Sequence, residues 1–270
     1  MAVPVPPDRS TESVREYWNA HPLGNQYIKD PAIQPGTPEY FDHLRRWMTP
    51  YKYPWIMERI DREAARARGR LLLEIGCGLG FVTVEFLRRD VRVIASDLSP
   101  VAVSLTRQHL AIAGLDAAGV QVENALQLSL PAESVDVVWS NGVLHHTGDT
   151  ARALREVHRV LRPGGRAVIS HFYRRPSWMY AISKFGRENI EYREMDPPVT
   201  DFMSEAEILG LFEGFRIEET YQEHYRALPI ARAGFKAALY SNLFRPAYNL
   251  LPESLAKRFA YKFSVVAVKP

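Results

Sequence analysis

Two adjacent histidines, His145 and His146, are the strongest candidates in this sequence for moving a proton. Imidazole titrates near neutral pH, so a histidine can accept a proton as a general base or pass it on as a relay. The pair follows Ser134–Ser140, whose valines and tryptophan predict a buried strand. Because the two residues are adjacent rather than four apart on a helix, they do not match a helical zinc motif, and we predict no metal site.

A glycine-rich turn is the second feature with a chemical use. The apolar run Leu71–Ile75 is typical of a strand buried on both faces, and Gly76, Gly78 and Gly80 follow it. Glycines let the backbone turn sharply and approach a ligand that a Cβ atom would keep away. A helical pattern begins at Phe81. A strand, a glycine turn and a helix in this order predict a nucleotide-binding α/β domain, with ligand at the carboxyl ends of the strands.

Two acidic residues and one missing glycine indicate which nucleotide is bound. A dinucleotide-binding turn needs its third glycine where this chain has Phe81. Glu74 precedes the turn, and its carboxylate suits a ligand ammonium group better than a pyrophosphate. Asp97 follows the next predicted strand and can accept hydrogen bonds from both ribose hydroxyls. NAD enzymes use the same device, and a helix cap is the alternative role for Asp97.

The composition narrows the class of protein. The 270 residues allow one large domain or one domain with insertions. With 34 basic and 31 acidic residues the formal net charge is +3, which is too small to indicate a nucleic-acid partner. No apolar run approaches the ~20 residues of a membrane span, and we expect no secretory signal. The single cysteine, Cys77, cannot form an internal disulfide, so we expect a cytoplasmic protein.

The first 69 residues are predicted to form a helical segment rich in aromatic residues. Ser10 or Thr11 is suited to cap a helix that continues to Trp18. Two further helices are predicted over residues 39–48 and 53–68. Aromatic residues at helical spacing usually belong to a core, and the alternative is a lid that closes a binding site against water.

The motifs from residue 70 onward follow one another in a characteristic order. They are Glu74-x-Gly-x-Gly-x-Gly80, Asp97, Asp136-x-Val138, Leu144-His145-His146 and Leu154-Arg-Glu-Val-x-Arg-Val-Leu-Arg-Pro-Gly-Gly165. This order resembles the class I S-adenosylmethionine-dependent methyltransferases, especially the branch that contains quinone-ring and natural-product enzymes. The resemblance covers about residues 70 to 171 well and the flanking segments only in outline.

The resemblance implies the fold class and the domain organisation. The expected fold is α/β, with a Rossmann-like, seven-stranded, mostly parallel sheet, an antiparallel last strand and helices on both faces. An N-terminal helical cap is expected over residues 1–69 and the methyltransferase domain over residues 70–270. Within that domain, the resemblance implies an acceptor-site insertion at about residues 173–203 and a helical insertion at about 224–258. The last strand, over residues 262–268, is expected to pair antiparallel between strands five and six.

The resemblance also implies that the chain binds S-adenosylmethionine and releases S-adenosylhomocysteine. The glycine turn would hold the amino-acid end of the cofactor, Asp97 the ribose and Leu98 the adenine face. Asn124 replaces the acidic residue that usually reaches the adenine amine, although its amide oxygen can still accept that hydrogen bond. The expected cofactor-binding residues are Glu74, Gly76, Cys77, Gly78, Gly80, Asp97, Leu98, Asn124, Ala125, Ser140 and Asn141.

Methyl transfer requires alignment of acceptor and methyl group and the exclusion of water. We predict an enzyme acting on a small, apolar or aromatic acceptor, such as a natural product or quinone precursor. His145 is expected to accept or relay the acceptor's proton, with assistance from His146, His171, His224 or Tyr17. The alternative is that the two adjacent histidines only shape the loop and the cofactor pocket. The expected substrate-binding residues are Trp18, Tyr27, His171 and Tyr173.

Three alternatives stay open on the sequence alone. A NAD-dependent oxidoreductase is opposed by Phe81, and a non-catalytic cofactor-binding protein could share the fold. A lipid or amine methyltransferase at a membrane surface is the third, because the segment 232–262 is basic and aromatic. A helix is predicted over residues 232–250, kinked or ended by Pro246. For the whole segment, a packed surface helix or a homodimer face is favoured over contact with lipid.

Overall fold

The computed structural model describes residues 9–22, 30, 32–47, 55–177, 197–223 and 234–270. The predicted roles of Tyr27 and His224 lie outside these residues. The same holds for most of the expected acceptor-site insertion and for the first part of the expected helical insertion.

Eight strands form a single sheet. They are β1 (Leu71–Ile75), β2 (Arg92–Asp97), β3 (Gly119–Val122), β4 (Val135–Asn141), β5 (Leu161–Arg174), β6 (Phe202–Met203), β7 (Arg216–Glu223) and β8 (Lys262–Val268). The order is β3-β2-β1-β4-β5-β8-β7, with the two-residue β6 paired to β5 outside this path. Strand β8 runs antiparallel to both of its neighbours, β5 and β7, and the other paired strands are parallel. The predicted sheet topology is therefore confirmed, and β6 is the one strand beyond the seven expected.

The helices lie between and before the strands. They are α1 (Thr11–Ala20), α2 (Pro38–Trp47), α3 (Ile56–Ala67), α4 (Phe81–Leu87), α5 (Pro100–Ala113), α6 (Thr150–Val160), α7 (Glu205–Gly210), α8 (Phe235–Leu239), α9 (Arg245–Asn249) and α10 (Glu253–Lys257). Side-chain caps fix several of their starts, because a capping oxygen satisfies a free backbone N–H. Ser10 caps α1, Ser99 caps α5, Asp149 caps α6, and Ser204 with Glu207 forms a capping box on α7.

The core occupies both faces of the sheet. On one face the apolar sides of α6 and α7 pack against alternate residues of the central strands, and on the other α3 and α4 do the same. Consecutive residues of β1 belong to opposite faces, Leu72 to one cluster and Leu73 to the other. Both are fully buried, as a central parallel strand requires.

Helix α3 belongs to the sheet packing, although it lies in the predicted N-terminal cap. Its Ile56 and Ile60 are fully buried in the same cluster as Trp139 of β4. Helix α1 instead lies at the carboxyl ends of the strands, where Asn19 Oδ1 accepts a hydrogen bond from Ser99 Oγ at 2.7 Å. The boundary at residue 69 therefore remains a prediction.

The predicted helix over residues 232–250 is interrupted before its proline. Helix α8 passes into one π-helical turn, Tyr240–Phe244, and then into α9. Pro246 has no N–H to donate, and it stands at the start of α9, where a donor is not needed. The wider π-helical turn before α9 accommodates the proline, and proline is a recognised cause of such irregularities in helices.

Candidate functional site

The glycine turn lies where β1 meets α4 and leaves room for a ligand. The N–H groups of Gly76 and Cys77 both donate to the carbonyl oxygen of Ser96, at 2.7 and 2.9 Å, so the turn is held against the end of β2. Gly76 has a φ of +81°, and a Cβ atom there would lie 2.2 Å from Val143 Cγ2. Glycine is therefore required at this position on both conformational and steric grounds.

Asp97 stands at the end of β2 and joins the turn to the next helix. Its Oδ2 accepts from the N–H of Gly78 at 3.0 Å, and its Oδ1 accepts from the N–H of Ser99 at 2.9 Å. Burial raises the pKa of Asp97, and these backbone hydrogen bonds act in the opposite direction. The residue that caps α5 is Ser99, whose hydroxyl accepts from the N–H of Ala102. Asp97 therefore does not have the alternative role of helix cap.

A cleft opens above the ends of β1, β2 and β4 and encloses about 860 Å³, including the part open to solvent. It brings together nine of the predicted site residues: Trp18, Gly76, Gly78, Asp97, Leu98, Asn124, Ala125, Asn141 and His146. Helix α1 forms one wall through Thr11, Val14 and Trp18. The arrangement matches the predicted position of a nucleotide at the strand ends.

The polar groups of the cleft fit a nucleoside. The Oδ1 atom of Asn141 is buried and has no hydrogen-bond partner among the described residues, so a ligand donor would satisfy it. Asn124 Oδ1 accepts from the N–H of Leu126 at 2.9 Å, which leaves one lone pair of that oxygen for a ligand. The Oγ of Ser140 is also buried without a partner in the described chain, although Ser140 does not line the cleft.

Glu74 is buried behind the glycine turn and does not line the cleft. Its carboxylate accepts a hydrogen bond from the hydroxyl of Thr83 on α4. Burial raises the pKa of Glu74 to about 8, with a further contribution from the negative charge of Asp97 and an opposing one from the Thr83 hydrogen bond. At this pKa the Glu74 side chain is largely protonated at neutral pH.

Cys77 and Gly80 also lie outside the cleft lining. The Cys77 sulfur is 3.4 Å from the Thr106 hydroxyl, and burial raises the pKa of this thiol well above its ordinary value. Gly80 is the residue before α4 and would place a Cβ atom 3.0 Å from Thr106 Cγ2. Both residues serve the packing of the turn against α5 in this structure.

His146 reaches the cleft from a single 3₁₀ turn, Leu144–His146, directly after β4. Its Nδ1 lies 2.6 Å from the carbonyl oxygen of Val199. A carbonyl can only accept, so we assign the proton to Nδ1, which leaves Nε2 unprotonated. Burial lowers the pKa of His146 to about 4, and the positive charge of Lys262 adds to this, against the opposing effect of the Val199 carbonyl. His146 is thus neutral at pH 7.

His145 lies one layer behind His146 and does not line the cleft. Its ring is 4.1 Å from that of His146 and 4.7 Å from that of Tyr173. Both ring nitrogens are buried without a hydrogen-bond partner in the described part of the chain. Burial lowers the pKa of His145 well below its ordinary value. Tyr17, the third predicted catalytic residue, stacks on His21 and is also outside the cleft lining.

His171 and Tyr173 lie at the end of β5, also away from the cleft lining. His171 has a φ of +70° and is buried, with its Nε2 3.0 Å from Glu223 Oε2. Glu223 Oε1 is 2.5 Å from the Arg59 guanidinium, which is likewise buried. Lys262 Nζ lies 3.1 Å from the centre of the Tyr173 ring.

Several residues of this region were not found from the sequence. Arg59 and Glu223 carry no motif, and only the fold places them beside His171. Val143 and Val14 line the cleft, but an apolar residue in a loop or on a helix face gives no signal of a ligand. Among the described residues, no group of three or more His, Cys, Asp or Glu side chains could hold a metal ion, and no helix is long and apolar enough to cross a membrane.

Comparisons with known proteins agree with this geometry. A family described as a methyltransferase domain matches residues 73–169. The ubiquinone biosynthesis O-methyltransferase of Aeromonas salmonicida is 27% identical over 67% of this chain and 76% of that protein. Other curated relatives of the same name are matched over 57–59% of their own length, so the chain spans little more than half of them.

Solved structures show the same fold. A S-adenosylmethionine-dependent methyltransferase from Methanosarcina mazei superposes with a TM-score of 0.52 at 19% identity, over 78% of this chain and 96% of that one. The cyclase SpnF superposes with a TM-score of 0.60 at 17% identity, over 100% of this chain and 98% of that one. At these identities the likeness concerns the fold.

The sheet order and the strand-end cleft define a Rossmann-like nucleoside-binding protein of the methyltransferase type. Residues 73–169 match the methyltransferase domain family, and the chain is a S-adenosylmethionine-dependent methyltransferase with S-adenosylmethionine as its cofactor. The predicted family, enzyme class and cofactor are thereby confirmed, and the alternatives of a NAD-dependent oxidoreductase and a non-catalytic protein are set aside.

Proposed function

We propose that this enzyme transfers a methyl group to a hydroxyl oxygen of a small aromatic or quinone-like acceptor. The observation that carries the proposal is the position of His146, which lines the cleft that also contains Asp97 and the glycine turn, and whose Nδ1 contact with Val199 leaves Nε2 unprotonated. A neutral imidazole is suited to take the proton of a phenol as the oxygen is methylated. The names of the curated relatives, ubiquinone biosynthesis O-methyltransferase, support oxygen as the methylated atom.

Bound S-adenosylmethionine supplies a methyl group on a positively charged sulfur. In the proposal, Gly76 and Gly78 accommodate its amino-acid end because they present no side chain to the cleft. Asp97 accepts hydrogen bonds from the ribose hydroxyls, and Leu98 and Ala125 contact the adenine. Asp97 is already held in place by two backbone N–H groups, so little freedom is lost when the sugar binds.

The acceptor is proposed to lie against Trp18 of α1 and His146, whose rings contact each other edge to face with their centres 5.6 Å apart. Trp18 lines the cleft and offers an apolar wall for an aromatic ring. In the proposal α1 acts as a cap over the cleft, and the wall formed by Thr11, Val14 and Trp18 supports that role. His145 is proposed to support His146 by ring contact, since its own nitrogens do not reach the cleft.

Calorimetric titration and a turnover assay test the proposal. We expect S-adenosylmethionine and S-adenosylhomocysteine to bind and NAD not to bind. We expect S-adenosylhomocysteine to form with catechols or hydroxyquinone precursors and not with simple amines. Cofactor binding without turnover on any phenolic acceptor would reject the acceptor class while leaving the cofactor site intact.

Two matched variants test the base. Asparagine at position 146 can still donate to the Val199 carbonyl but offers no basic nitrogen, so we expect His146→Asn to lower kcat about 10²–10⁴-fold. His145→Asn is the control, and we expect a much smaller loss of kcat because His145 does not line the cleft. If His145→Asn has the larger effect, or if His146→Asn changes only KM, the assignment of the base to His146 is wrong.

A further inference from the structure

A stripe of exposed apolar side chains lies on residues 235–250. Phe235, Leu239 and Leu243 are spaced four residues apart and therefore lie on one side of the helical segment. Their exposed fractions are 84%, 51% and 64%, and Leu250 at the end of α9 is 85% exposed. We call these four residues the apolar stripe. A contiguous group of this kind on a surface marks an interaction site more often than scattered single residues do.

The π-helical turn Tyr240–Phe244 keeps the stripe aligned. In an α-helix, residues four apart are displaced by about 40° around the axis. Side chains with this spacing therefore turn gradually from one side of the helix to another. A π-helical turn advances fewer degrees per residue, and it reverses part of that displacement between Leu239 and Leu243. The irregularity thus has a geometric effect on the surface as well as accommodating the proline.

The inner side of the same segment is already filled. The rings of Tyr240, Phe244 and Tyr248 stack in a row, with centres 5.5 and 5.4 Å apart. Phe259 and Tyr261 pack against this row from the chain that leads into β8. The apolar stripe is therefore a second face, separate from the one that holds the segment to the domain, and no residue of the described chain buries it.

The charge of this segment indicates what covers the stripe. Residues 234–258 contain four basic residues and one acidic residue, Lys236, Arg245, Lys257, Arg258 and Glu253. This excess of +3 equals the formal net charge of the whole chain, so the remainder is balanced. Lys257 lies 2.6 Å from Glu253, so the excess comes from Lys236, Arg245 and Arg258. Two copies of the chain that met through this segment would bring its positive excess together, whereas an anionic surface would complement that excess.

We propose that the apolar stripe and its basic residues bind the surface of a bilayer that contains anionic lipids. Exposed phenylalanine and leucine side chains enter the boundary between headgroups and acyl chains, and basic residues attract the anionic headgroups. The segment lies along the surface and does not span it, since α8, the π-helical turn and α9 cover only residues 235–249.

The segment is attached to the end of β5. Arg174 Nη1 donates to the carbonyl oxygens of Arg258 and Ala260, at 2.8 and 3.1 Å, and the Tyr261 ring lies 5.0 Å from that of Tyr173. A bound lipid surface would therefore lie on the side of the domain where β5 ends. The lipid proposal does not depend on the acceptor proposed above.

Co-sedimentation with vesicles tests the proposal on the full chain. The probes are vesicles of phosphatidylcholine mixed with phosphatidylglycerol, and vesicles of phosphatidylcholine alone. We expect binding to the mixed vesicles, weakened by added salt, and at least about tenfold less binding of the variant Phe235→Ser/Leu239→Ser/Leu243→Ser. Titration of each protein with S-adenosylhomocysteine shows that the variant is folded and separates this result from the cofactor site.

A matched control replaces exposed apolar residues elsewhere: Ile112→Ser/Leu209→Ser/Ile217→Ser. We expect this control to bind vesicles as the unmodified chain does. A charge-reversal variant, Lys257→Glu/Arg258→Glu, leaves the apolar stripe intact and is expected to lose the preference for phosphatidylglycerol.

Two results would overturn the proposal. One is equal sedimentation of the unmodified chain with and without vesicles. The other is a concentration-dependent dimer in sedimentation velocity that the stripe variant abolishes while vesicle binding is absent, which would assign the stripe to a second copy of this chain.

Discussion

Replacing Glu223 by glutamine removes the anion from a cluster buried in the protein. Arg59 of α3 and His171 of β5 both contact this carboxylate, at 2.5 and 3.0 Å, and the Ser264 hydroxyl donates to it at 2.8 Å. Burial alone raises the pKa of Glu223, but the hydrogen bonds and the charge of Arg59 outweigh it and lower that pKa to about 2. Glu223 is therefore ionised at neutral pH and balances the Arg59 charge.

The expected loss follows from the burial of the cation that remains. Arg59 is only 6% exposed, and breaking a buried ion pair by removing one partner costs about 3–5 kcal/mol. We expect Glu223→Gln to lie at the low end, about 3 kcal/mol, because Arg59 keeps its contacts with the rings of Trp55 and Tyr221, at 4.2 and 4.3 Å, and a glutamine oxygen can still accept from it. For a chain of this size the melting temperature then falls by roughly 6–12 °C.

Urea unfolding at pH 7, followed by circular dichroism, measures this free energy. Asp42→Asn is the control, since Asp42 is exposed and its ion pair with Arg46, one helical turn away on α2, lies at the surface. Surface pairs contribute about 0–1 kcal/mol, so we expect a loss of at most about 1 kcal/mol for the control.

A double variant separates loss of charge balance from loss of packing. Arg59→Met/Glu223→Leu removes both charges and keeps similar volume, and we expect it to be more stable than Glu223→Gln. If the free energy of unfolding falls no further in Glu223→Gln than in the control, the Glu223 carboxylate does not balance the charge of Arg59. If the double variant is the least stable of all, the hydrogen bonds and shape of the cluster matter more than its charges.

Three further predictions concern the cleft. Gly76→Ala forces a Cβ atom against Val143, so we expect the cofactor Kd from calorimetry to rise at least about tenfold, and an unchanged Kd would contradict the geometry. Asp97→Asn should weaken cofactor binding at least about tenfold, and more than Glu74→Gln does, because only Asp97 lines the cleft; the reverse order would place Glu74 at the ligand. The pKa of His146 falls from 6.5 to about 4 on folding, so the unfolded chain binds more protons below pH 6.5. His146 alone should then lower the free energy of unfolding by about 2 kcal/mol between pH 7 and pH 5, which is measured as the difference in that drop between the unmodified chain and His146→Asn in urea unfolding.

The fold was predictable to the level of strand order because its signals are local. Apolar runs predict strands, and Ser10, one of the two residues that the sequence offers as a cap for the first helix, caps α1 in the structure. The insertion of β8 between β5 and β7 was implied only by the resemblance, since long-range pairing leaves no local trace in the sequence. The two-residue β6 was missed because so short a strand has no periodicity to detect.

The sequence predicts which residue types form the candidate site. It predicts less well which of those residues line the cleft and which lie behind it. The spacing of Gly76, Gly78 and Asp97 marks the cleft correctly as a region, but it does not tell which side chains face the ligand. Glu74 points behind the turn because Thr83 of α4 holds its carboxylate. His145 and His146 are adjacent in sequence, and only the contact of His146 with Val199, far along the chain, distinguishes the two.

The position of β8 inside the sheet has a consequence for biosynthesis. A long stretch of chain separates β8 from β5, its partner in the sheet. While the nascent chain is elongating, the β5 edge is already made and carries buried-type residues such as Val168 and Phe172 without a mate. An open apolar edge of this kind is a template for pairing with another polypeptide. Ribosome-bound chains that stop short of residue 262 are therefore the species most in need of a chaperone.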